Sequence, residues 1–99
     1  MPAKSGTKEQ TRAEVREPKQ YCVIMHNDDF TTMDFVVEIL MEIFHKDAAS
    51  ANAIMMKVHK GGSARVGVYP YDIAVTKVEA ATTRARQEGF PFRMTVEEA

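Results

Sequence analysis

Asn27, Asp28 and Asp29 place an amide and two carboxylates side by side. They follow a short apolar run, Tyr21-Cys22-Val23-Ile24-Met25, and precede Phe30-Thr31-Thr32-Met33-Asp34-Phe35-Val36, which opens an amphipathic segment. Asn and Asp at the exit of a strand are turn formers, because their side chains bond nearby backbone groups and tolerate unusual dihedrals. The same residues set acidic and amide oxygens at the surface beside the apolar side chains of the next element. Such a site suits a ligand with a small positive head and a greasy body.

A second group lies further along. Met55, Val58 and His59 fall at helical spacing on one side of a helix. Read locally, Met55 and Val58 are core residues and His59 a surface residue near the helix end. The functional reading requires His59 to meet the Asn27-Asp28-Asp29 turn across the fold. Asp28, Asp29 and His59, with His26 and His45, also raise the question of a metal. No His-x-x-x-His or Cys-x-x-Cys spacing occurs, so neither a metal nor another cofactor is expected. Ser63 does not sit in a Gly-x-Ser-x-Gly elbow, and Gly61-Gly62 lacks the lysine and the length of a phosphate loop. No catalytic residue is expected.

Three strands and three helices must hold these groups. Residues 1 to 18 carry Lys4, Lys8, Arg12 and Arg16 with Val15 as the one large apolar residue after Met1, which predicts a flexible tail. Residues 19 to 99 then form one domain, beginning with a strand from Tyr21 to His26. Thr31 and Asp34 fit a capping box for a helix running to about Phe44, with Met33, Val36, Val37, Leu40 and Phe44 on its apolar side. Asp47 or Ser50 caps a second helix through Ala51, Ile54, Met55 and Val58, which Gly61 and Gly62 stop. A strand from Ser63 to Tyr69 places Ala64, Val66 and Val68 on one face, with Gly67 marking a bulge or a close approach. Pro70 starts a third helix, from about Tyr71 to Gln87, burying Ile73, Val78, Ala81 and Ala85, with Arg84 and Arg86 complementing its dipole. Arg93 to Val96 closes the order β-α-α-β-α-β. The expected fold is α+β: a three-stranded antiparallel sheet packed against three helices in two layers.

Composition narrows the function classes. The chain has 99 residues, 44% of them hydrophobic, enough for one modest core. A net charge of −1 supplies no field that would gather nucleic acid or a membrane surface. No apolar run approaches the roughly twenty residues of a membrane span, and no signal peptide is visible. Cys22 is the single cysteine, so no internal disulfide can form, and it reads as a strand residue of no special reactivity. A cytoplasmic protein is expected.

The segment from Tyr21 to Val36, the Met55-x-x-Val58-His59 group, Gly62, Gly67 and Thr76-Lys77-Val78 together resemble the ClpS family, over roughly residues 20 to 99. These are small adaptors that bring N-degron substrates to the AAA+ protease Clp. The resemblance implies binding of a free α-amino group together with a large hydrophobic first side chain: Phe, Leu, Tyr or Trp. By position, Asn27, Asp28 and His59 match amine-binding residues. Asp29, Thr31, Met33, Val36, Met55 and Val58 match residues of the side-chain pocket, with Phe92 at its rim. Asp72 and Lys77 match the acidic residue and the lysine that dock on the N-terminal domain of the unfoldase ClpA. Two departures stand out: Thr32 replaces a common proline, which should loosen the helix start, and Phe92 replaces an aliphatic residue. They point to a divergent paralogue with a narrower or altered preference. An interaction domain without a pocket, similar to those of the ribosomal stalk, and a small metal-dependent hydrolase are the competing readings.

Overall fold

A computed structural model describes residues 18–99; the tail expected over residues 1–18 lies outside them, Pro18 excepted. The elements are β1 (Gln20–His26), α1 (Met33–Glu42), α2 (Ala48–Gly61), β2 (Ser63–Pro70), α3 (Tyr71–Gln87) and β3 (Arg93–Glu98), in the expected order and at close to the expected boundaries. β1 is central and pairs antiparallel with both neighbours, giving the strand order β2-β1-β3. Its pairing runs from Gln20 opposite Pro70 to His26 opposite Ser63 on one side, and from Tyr21 opposite Glu98 to His26 opposite Arg93 on the other.

The core follows from the period-two alternation of the strands. Val23 and Met25 of β1 are fully buried, and Ala64 and Met94, both paired with Met25, share their face. Ile39 and Leu40 of α1, Ala51, Met55 and Val58 of α2, and Ala74, Ala81 and Ala85 of α3 complete one contiguous cluster. The three alanines let α3 lie close against the sheet. Ile73, expected to be buried, is 44% exposed. The buried positions 74, 81 and 85 set the inward stripe of the helix, and Ile73 lies about 100° round from Ala74.

The expectation for β2 also needs correction. Val23 pairs with Gly67 but Ile24 pairs with Arg65, so Val66 is an extra, bulged residue. The bulge resets the alternation: Ala64 and Val66 are buried, whereas Val68 turns outward and is 46% exposed. Gly67 sits under the ring of Tyr69, where an added Cβ would lie 2.7 Å from the phenol oxygen. A close approach is therefore the reason for glycine here.

α1 starts one residue later in its capping than expected. Thr32, not Thr31, is the N-cap, and its hydroxyl accepts from the Phe35 amide at 3.1 Å. The Thr31 hydroxyl instead donates to Asp28 at 2.7 Å, tying it to the preceding turn. Thr32 thus supplies a side-chain cap that a proline could not. α1 ends at Glu42, short of Phe44, because the chain turns through His45 at φ 58. Asp47 caps α2 by accepting from the Ser50 amide at 2.7 Å, and Gly62 at φ 92 ends it.

Side chains tie the helices together. Arg84 of α3 reaches Glu38 at 3.1 Å and Glu42 at 2.8 Å, two carboxylates one turn apart on α1, instead of serving its own helix end. Lys77 donates to the Ile43 carbonyl at 2.8 Å, capping the C-terminal end of α1, and lies over the rings of Phe44 and Tyr69. Phe35 meets Phe90 and Phe92 edge-on, with centroids 5.0 and 5.9 Å apart. None of the described helices is long and apolar enough to cross a membrane.

Candidate functional site

The loop after β1, the start of α1 and the last turns of α2 enclose a cavity of about 210 Å³. Its position is fixed by backbone. Gly62, in its left-handed cap, donates its N–H to the Val58 carbonyl, and its own carbonyl accepts from the Asn27 amide, both at 2.9 Å. The end of α2 and the exit of β1 are thereby joined, and His59 is brought beside the Asn27-Asp28-Asp29 turn. That meeting, which the sequence required but could not establish, is present.

The turn is rigid because Asp28 organises it. One carboxylate oxygen accepts from the amides of Phe30 at 2.8 Å and Thr31 at 2.7 Å, and the other accepts the Thr31 hydroxyl at 2.7 Å. Partial burial pushes the Asp28 carboxyl up, but the Thr31 amide, the Thr31 hydroxyl and the Phe30 amide outweigh it and hold it below its ordinary 3.8. The oxygen that accepts only the Thr31 hydroxyl retains lone-pair capacity for a further donor. The side chains of Asn27, Asp29 and His59 have no hydrogen-bond partner among the described residues, and all three are exposed.

The cavity has two characters. Asn27, Asp28, Asp29, Thr31 and His59 supply its polar side; Met33 and Val36 of α1, with Met55 and Val58 of α2, supply the apolar one. Each apolar pair keeps a spacing of three residues and so projects from one face of its helix. Met33 is 43% exposed at the mouth, whereas Met55 is 9% exposed and belongs to the core. Among the described residues no Lys or Arg lines the cavity, and two carboxylates do, so a cation is favoured at its polar side.

Phe92, expected at the rim, and the expected docking residues Asp72 and Lys77 are not among the residues that line the cavity. Phe92 is buried against Phe35 and is not among the cavity-lining residues. Its aromatic ring is large enough to fill the space beneath α1, and it supports the wall instead of forming the rim. Asp72 lies in the first turn of α3, remote from the cavity along the chain, and Lys77 has its ammonium on the Ile43 carbonyl. Phe30, to which the sequence assigned no role, stands between two cavity-lining residues with 74% of its surface exposed. The one signal that could have found it is an aromatic residue in a polar turn. Among the described residues, no group of three His, Cys, Asp or Glu side chains is arranged to hold a metal ion.

Comparison with known proteins gives a consistent set of matches. The family model for the ATP-dependent Clp protease adaptor protein ClpS matches residues 16–95. The ClpS adapter protein of Nautilia profundicola is 50% identical over 98 residues, 99% of each chain. That of Acetivibrio thermocellus is 47% identical over 97 residues, 98% of each chain. Among solved structures, Agrobacterium tumefaciens ClpS2 bound to L-phenylalaninamide superposes with a TM-score of 0.81 at 38% identity, covering 84% of this chain and 100% of that one.

Proposed function

Because the chain belongs to the ClpS family of ATP-dependent Clp protease adaptors, we propose that its cavity receives the first residue of an N-degron substrate and that the protein delivers that substrate to the ClpA unfoldase. The adaptor role is one of binding, without catalysis of its own. In this reading Asn27, Asp28 and His59 accept the free α-amino group, and Asp29 adds negative charge beside it. Thr31, Met33, Val36, Met55 and Val58 surround the side chain of Phe, Leu, Tyr or Trp. The observation that carries the reading is the juxtaposition of these two surfaces in one cavity.

The chemistry is matched to such a guest. A terminal amine titrates near roughly 7.7–8.0 and is mostly cationic at neutral pH. An amide oxygen, a carboxylate and a neutral imidazole nitrogen each accept from an ammonium. An apolar cavity of roughly 150 Å³ holds benzene, so about 210 Å³ has room for a phenylalanine side chain and the carbon that bears the amine. Each charge-assisted bond contributes about 1.5–3 kcal/mol, and burial of the side chain about 1.5–3 kcal/mol more. After ordering costs, an affinity on the order of micromolar follows. Phenylalaninamide, bound by the Agrobacterium relative, has the same free amine and benzyl group.

Delivery is assigned to other parts of the chain. Asp72 and Lys77 on α3 are proposed to dock on the N-terminal domain of ClpA, and residues 1–18 to serve transfer of the substrate, with recognition confined to residues 19–99. The adaptor is placed in the cytoplasm with its protease. The test is a titration with peptides that differ only in the first residue, each with a free or an acetylated amine. Peptides beginning with Phe, Leu, Tyr or Trp should bind, and those beginning with Ala, Lys or Glu, or acetylated, should bind at least tenfold more weakly. Equal binding of free and acetylated Phe peptides would overturn the assignment.

A further inference from the structure

Phe30 is the most exposed large apolar residue among those described, at 74% of its surface. Its two neighbours, Asp29 and Thr31, both line the cavity, while Phe30 does not. None of the aromatic pairs among the described residues includes its ring. Leaving an aromatic ring in water forgoes a large burial gain, and here the backbone that bears the ring is also held in place. The Phe30 amide and the Thr31 amide both donate to one oxygen of Asp28, the Thr31 hydroxyl donates to the other, and Thr32 begins the cap of α1. The backbone of a flexible loop could swing such a ring inward; here that movement would break those bonds.

We propose that Phe30, with the exposed part of Met33, forms an apolar shelf at the cavity mouth for the second side chain of a bound peptide. The inference rests on the reading that the cavity takes the first residue. With the amine and first side chain fixed inside, the chain must leave through the mouth, and the next Cα lies about 3.8 Å on. Phe30 is one residue removed from each of two cavity-lining positions, so its ring is within reach of that second side chain. The shelf favours apolar and aromatic second residues over glycine. Its fixed backbone means that little ordering is required on binding, which is the condition under which a single exposed ring contributes measurably.

The experiment compares free-amine peptides beginning Phe-Leu, Phe-Phe and Phe-Gly, with acetylated Phe-Leu as control, on the wild-type chain and on Phe30→Ala and Phe30→Tyr. The readout is the ratio of affinities between the apolar second residues and glycine. For the wild type the ratio should be about 2- to 10-fold; Phe30→Tyr should keep it and Phe30→Ala should bring it to near unity. A wild-type ratio of one, or a ratio unchanged in Phe30→Ala, would overturn the shelf while leaving first-residue recognition intact. If acetylated and free Phe-Leu bound equally to the wild type, the parent reading would fail and the shelf with it. Should Phe30→Ala melt early, Phe30→Ser supplies a polar, ring-free variant in which the same loss of the ratio is expected.

Discussion

Asp28 has two oxygens and accepts three hydrogen bonds from its own turn before any ligand arrives. Because its carboxyl in the folded chain titrates below the ordinary 3.8, the carboxylate stabilises the fold fully above that ordinary value, and the contribution is lost as pH falls through the depressed one. Asp28→Asn should therefore lower stability by about 1–2 kcal/mol at neutral pH, and the gap in melting temperature between the two proteins should narrow as pH falls below about 3.8. Melts taken from pH 6 to pH 3 test this, and a gap that stays constant would mean that the three bonds do not depend on the charge. Asp47, also held low by the amide of Ser50 above all, is common to both proteins and cancels. At this scale the site was largely legible, since turn formers, helical spacing and the family resemblance each pointed to residues that meet in one cavity. Phe92 was not, because a sequence position does not say whether a larger side chain enlarges a rim or fills the space behind it.

Among the elements, the start of α1 carries the most direct consequence for the site, since it positions Thr31, Met33 and Val36. Thr32→Ala removes an N-cap acceptor and should cost about 1 kcal/mol, a fall of about 4–8 °C in melting temperature for a chain of this size. Thr32→Pro should recover part of that loss, because φ −74 at this position suits the ring and proline restricts the unfolded chain. A Thr32→Ala melt equal to that of the wild type would show the cap to be dispensable. The helix end at Gly62 was readable because glycine there takes a left-handed φ. The capping box was misplaced by one residue because Thr31 and Thr32 are chemically alike, and only the competing bond to Asp28 separates them. The outward turn of Val68 was hidden for a similar reason: a bulge adds one residue without changing the pattern that precedes it.

At the scale of the whole molecule, the two-layer α+β arrangement was legible from the order of elements, while strand neighbours required the tertiary pairing of β1 with both β2 and β3. That pairing separates the two proposed surfaces. Asn27 leaves one end of β1, whereas Gln20 at the other end pairs with Pro70, which passes directly to Asp72. Seven residues of strand at roughly 3.3 Å each put about 20 Å between the ends. A strand bonded along both sides is stiff, and coupling between distant sites needs an element with two alternative arrangements. The affinity of a Phe-first peptide should accordingly agree within about twofold with and without a saturating amount of the isolated ClpA N-terminal domain, a coupling factor close to one. A tenfold change would show that the two ends communicate. With a factor near one, cargo loading and docking are independent equilibria. The fraction of adaptor engaged at both ends is then the simple product of the two occupancies, set by concentration alone.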